Sequence, residues 1–115
     1  MENIIAQKSK SFAIRIVRLY QYLSSEKREF TLSRQLLRSG TSIGANVHES
    51  INAQSKADFT SKMNIALKEA NETEYWLELL YNTDYLSSEQ YASIQADCSE
   101  LCRLLISIVK SCKNP

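Results

Sequence analysis

Apolar and small residues return along the chain at alternating steps of three and four, the spacing that keeps one face of a helix turned to a core. Phe12, Ile16, Leu19 and Leu23 step by 4, 3 and 4, with Ala13, Val17 and Tyr20 widening the stripe, and predict a first helix over residues 5–24. Ser24–Glu29 carries no apolar residue and is read as a connection, with Thr31 as N-cap of a second helix over 31–53. In that helix Leu36, Gly40, Ile43, Val47 and Ser50 step by 4, 3, 4 and 3. Phe59, Met63, Ala66, Ala70, Thr73, Leu77 and Leu80 predict a third helix over 56–82, opened by Ser55 and Asp58. Trp76, Leu79 and Tyr81 spread its apolar surface beyond one seam, enough to face a second partner as well as the core. Ser87 and Gln90 form a capping box before Tyr91, Ile94, Cys98, Leu101, Leu105, Ile108 and Cys112, a helix over 88–112. Four such segments joined by short connections predict an all-α, up-down-up-down antiparallel four-helix bundle.

Gly40 and Gly44 are the only glycines, and each costs roughly 0.5–1 kcal/mol against Ala inside a helix. Arg38–Ser50 reads either as a loop or as a helix with a small face for close packing. The unbroken 4-3-4-3 spacing favours the helix. With two glycines and one proline there is little turn chemistry for hairpins, which argues against an all-β fold. The 115 residues, 43% of them hydrophobic, predict one domain over 1–115 with one modest core. No apolar run reaches membrane-span length and the first residues lack a signal-peptide layout, so a cytosolic protein with no membrane partner is expected. Three cysteines without a Cys-x-x-Cys pair read as reduced thiols in a helical core.

The net charge of +1 hides an asymmetry. Residues 1–40 carry eight basic and three acidic side chains, a balance of +5, and the remainder carries six and ten, a balance of −4. Lys8, Lys10, Arg15, Arg18, Arg34 and Arg38 are therefore candidate contacts to RNA or DNA, with Tyr20 and Tyr22 available for stacking. The alternative is that the two halves mate between subunits.

Enzymatic chemistry finds little support. The paired Glu-x-x-His motifs of di-iron bundles are absent, so no metal or cofactor is expected. A catalytic set would need His48 beside Ser42 or Ser50 with Glu49 behind it, yet adjacent helical residues point about 100° apart and no oxyanion loop is visible. No catalytic residue is assigned. Glu69, Glu72, Glu74 and Glu78 form an acidic run in which Glu72 lies near core positions and would need a partner such as Arg38 or Arg34. Ser42, Asn46, Glu49 and Glu72 are read as a structural or inter-subunit network.

The run from Leu36 to Ser50, then Ser55–Phe59 and Ala66–Leu77, resembles the four-helix-bundle proteins encoded in intervening sequences of 23S ribosomal RNA genes. That family is related to the accessory variability protein of diversity-generating retroelements. Matched positions include Arg38, Ser42, Ile43, Asn46, Glu49, Ser55, Phe59, Ala66, Leu67, Glu72 and Leu77. Where the family commonly has Ala-Glu-Gly, this chain has His48-Glu49-Ser50, without the helix-breaking glycine. The resemblance implies a bacterial, homopentameric ring with a basic surface and, for retroelement members, binding of nucleic acid and a reverse transcriptase. The expected function is a non-enzymatic oligomer that binds RNA or DNA through its basic first and second helices. The alternative is an interaction scaffold that touches no nucleic acid.

Overall fold

In the computed structural model, which describes residues 3–113, four helices follow one another: α1 (Ile4–Ser25), α2 (Leu32–Ile51), α3 (Lys56–Asn82) and α4 (Ser88–Lys113). Glu2, counted in the charge balance, lies outside the described residues. Each helix packs on two neighbours, α1 on α2 and α4, and α3 on α2 and α4, so α1 and α3 sit at opposite corners of a bundle 47 × 24 × 20 Å in extent. Among the described residues, no helix is long and apolar enough to cross a membrane.

The helix ends follow side-chain chemistry. Asn3 accepts the amide of Ala6 at 3.1 Å to open α1, and Ser55 accepts the amide of Asp58 at 3.0 Å to open α3. Ser87 and Gln90 cap each other reciprocally, at 2.8 and 3.1 Å. The start of α2 departs from expectation, because Thr31 makes no side-chain cap. Glu29 takes that role, accepting from the amides of Thr31, Leu32 and Ser33 at 3.1, 2.8 and 2.7 Å. A carboxylate reaching three amides satisfies more of the helix's orphan donors than a hydroxyl can, and places negative charge at the positive end of the dipole. Without a glycine, α2 ends at Ile51, where Asn52 turns with φ −106° and ψ 27°.

The seams bury most of the predicted positions. Leu36, Gly40, Ile43, Val47 and Ser50 are all buried, as are Met63, Ala66, Ala70, Thr73, Leu77 and Leu80. Two departures have geometric causes. On α1, Val17 is 38% exposed, because the buried line runs Ile5, Ser9, Phe12, Ile16, Leu23 and turns its outer side to solvent. On α4, the buried line steps from Leu105 to Val109 and leaves Ile108 half-buried. A helix of 3.6 residues per turn drifts away from a strict seven-residue repeat by about 20° per heptad, so the seam moves over by one position.

Both glycines sit where α2 meets α1. A Cβ on Gly40 would lie 2.7 Å from Cγ1 and 2.8 Å from Cγ2 of Ile16, a fully buried β-branched side chain with nowhere to go. A Cβ on Gly44 would lie 3.2 Å from the carbonyl oxygen of Ser9. The helix-propensity cost of the glycines is thus offset by close approach of α1.

Candidate nucleic-acid interface

The six basic residues singled out from the sequence fall into two groups. Lys8 of α1 pairs with Glu100 of α4 at 3.2 Å. Arg15 reaches across the same seam to Asp97 at 2.6 Å, and also donates to the carbonyl oxygen of Ser93 at 3.3 Å and to its hydroxyl at 2.9 Å. Arg38 of α2 pairs with Glu69 of α3 at 3.2 Å and with Glu72. Lys10, Arg18 and Arg34 are exposed and, among the described residues, have no acidic oxygen within 4 Å. Half of the cations expected to face a phosphate are therefore already committed to a neighbouring helix.

The residues grouped as a polar network stand in three separate places. Asn46 donates to the carbonyl oxygen and hydroxyl of Ser42 one turn back on α2, at 2.9 and 3.3 Å. Glu49 pairs with Lys62 at 3.4 Å. Glu72 accepts from the indole of Trp76 at 2.9 Å as well as from Arg38. The Trp76 hydrogen bond and the Arg38 guanidinium hold the Glu72 carboxyl below the usual carboxylate range, outweighing the opposing effect of burial. Nearby, the Thr73 hydroxyl donates to that of Ser39 at 2.9 Å, a buried link between α2 and α3.

Between Lys10 and Arg18, the outer face of α1 presents Ile14 and Val17, 48% and 38% exposed. Lys10, Ala13, Ile14, Val17, Arg18 and Gln21 line a shallow hollow of about 340 Å³ there. Exposed His48 borders a second hollow of about 390 Å³ between α1 and α2, beside Gly44 and Ala45. A third, of about 510 Å³, lies between α1 and α4, where Leu19, Tyr22, Leu86 and Ile94 meet the charged Arg15, Arg18 and Glu89.

The sequence reading passed over one arrangement. In the α1–α2 connection, Arg28 adopts a left-handed conformation (φ 57°), which costs a residue with a side chain roughly 1–2 kcal/mol. Its guanidinium carbon lies 5.7 Å from the centre of the Phe30 ring, itself 45% exposed. The available signal was Lys27-Arg28 two residues ahead of a phenylalanine in a polar connection. By contrast, Tyr20 and Tyr22, the residues proposed for stacking, are half-buried, and Tyr81 stacks on Tyr91 with ring centres 4.5 Å apart.

The model of the 23S rRNA-intervening sequence protein family matches residues 1–107. The chain belongs to this family. A crystal structure from Bacteroides thetaiotaomicron VPI-5482, described as a protein of unknown function from the S23 ribosomal protein family, is 61% identical. The match covers 92% of this chain and 98% of that one, with a TM-score of 0.91. No curated relative matches. The family membership and the four-helix bundle expected from the sequence are both borne out.

Proposed function

We propose that this family member is a non-enzymatic, self-associating bundle that binds RNA or DNA on the cations its own acids leave unpaired. The observation that carries this reading is the division of the basic residues. Lys8, Arg15 and Arg38 are engaged within the bundle, whereas Lys10, Arg18 and Arg34 have no acidic partner within 4 Å among the described residues. Unpaired exposed cations release phosphate counterions on contact, which makes such binding strongly salt-dependent. The test is fluorescence anisotropy with a structured RNA across a salt series. Binding should weaken steeply with salt, and combined replacement of Lys10, Arg18 and Arg34 by Ala should flatten the log–log slope by about two to three units. No binding at low salt overturns the reading.

A second reading is favoured by the exposed apolar residues. Ile14 and Val17 beside Lys10 and Arg18 on α1 are matched at the opposite corner by Tyr75, 56% exposed and one turn from Glu78 on α3. Faces of opposite charge, each with an apolar centre, suit head-to-tail contact between copies, which closes into a ring when the rotation allows. Under this reading nucleic acid is not bound at all. Light scattering on wild type and on Ile14→Glu separates the two: assembly lost with the variant, together with no RNA binding by wild type, selects the scaffold.

A further inference from the structure

The nucleic-acid reading above leaves open which part of a strand the protein recognises, and this inference rests on that reading. We infer that the α1–α2 tip is a stacking site for an unpaired base of single-stranded nucleic acid, with Phe30 as the platform and Arg28, Lys27 and Arg34 as its phosphate contacts. Three observations converge on this segment.

The first is the ring itself. Phe30 is a large apolar side chain left 45% exposed in a six-residue connection, although a four-helix bundle has a core available to it. Arg28 lies over the ring at 5.7 Å, the aromatic-with-guanidinium arrangement on which bases stack.

The second is rigidity. Glu29, between Arg28 and Phe30, is 8% exposed and bound at every polar point: its carboxylate takes three amides of α2, its carbonyl oxygen accepts from the Ser33 hydroxyl at 2.7 Å, and its amide donates to Leu23 at 2.9 Å. The residues on either side are thus held in place before any ligand arrives, which lowers the ordering cost of binding.

The third is charge. Lys27, Arg28 and Arg34 are exposed with no acidic oxygen within 4 Å among the described residues, and Glu29 is consumed by the cap, which leaves Glu26 as the exposed acid of the segment 26–31. A base offers its face to an aromatic ring only when it is unpaired and unstacked, so this combination selects single strands over duplex.

The experiment measures anisotropy of a labelled single-stranded RNA 12-mer and of a 12-base-pair RNA duplex, with wild type, Phe30→Ala, Phe30→Tyr and Arg28→Gln. Thermal unfolding confirms that each variant is folded. The inference expects tighter binding of the single strand by wild type, a loss of about tenfold for Phe30→Ala on the single strand alone, and recovery in Phe30→Tyr. Arg28→Gln should weaken single-strand binding and reduce the salt slope by about one. If wild type binds RNA and Phe30→Ala binds the single strand equally well, the tip inference fails while the nucleic-acid reading stands. If wild type binds neither RNA at low salt, both fail.

Discussion

The two flanks of α1 are built on different principles. Toward α2 the contact is made by absence of side chain: Gly40 admits the branched Ile16, and Gly44 admits the backbone of Ser9. Toward α4 the two backbones approach closely at far fewer positions, and the gap is bridged by Arg15 to Asp97 and Lys8 to Glu100. Close packing is intolerant of added atoms, whereas half-exposed ion pairs contribute little and are screened by salt. One helix can therefore be fixed rigidly on one side and loosely on the other.

The sharpest way to break this contrast is Gly40→Val. Its added methyls meet Ile16 inside van der Waals contact, so the variant should lose about 3 kcal/mol in urea denaturation. Combining it with Ile16→Ala should cost less than the sum of the two single changes, because they share one space. An unperturbed Gly40→Val would mean that α1 and α2 slide apart freely.

Next in size, the polar contact of α2 with α3 gives a pH signature. Glu72 is held below its ordinary pKa in the folded state, so its contribution is present above the unfolded value and is lost as pH falls through the folded one. Glu72→Gln keeps an acceptor for Trp76 but not the charge. The melting temperature of wild type should exceed that of Glu72→Gln at neutral pH, and the two curves should converge below the ordinary carboxylate range.

Smaller still, Arg15→Ala should lose at most about 1 kcal/mol at low salt. Adding salt should narrow its difference from wild type in thermal unfolding. A loss comparable to that of Gly40→Val would erase the distinction between the flanks. Gly44→Ala should change stability least, since a 3.2 Å approach to the Ser9 carbonyl is set against a helix-propensity gain of about 1 kcal/mol.

The bundle was legible because burial in helices repeats: Leu36 to Ser50 and Met63 to Leu80 follow their predicted faces, with Phe59 at the start of the third-helix series half-buried. Capping was legible where it is local and reciprocal, at Ser87 and Gln90. It failed at Thr31, since a carboxylate two residues earlier can reach the first amides of the helix and nothing in the spacing ranks the two acceptors. The site was harder to read. Arg38 pairs with Glu72, one of the two partners the sequence suggested for that acid, but charge along a sequence does not reveal that Lys8 and Arg15 find acids on α4. Phe30 escaped notice because periodic patterns describe helices, and its exposure depends on the conformation of Arg28 and the fastening of Glu29.

The thinly packed α1–α4 flank also bears on how the chain folds. Three of the four helix contacts join neighbours in sequence, and only this one closes the first helix onto the last. Most native contact is therefore available at short loop-closure distances, the condition under which helical bundles fold in about microseconds to milliseconds. The long-range closure brings the least packing, so it has little to contribute to the nucleus. Arg15 and Asp97 should accordingly show low φ-values, and hydrogen exchange should report this flank opening before the glycine contact does.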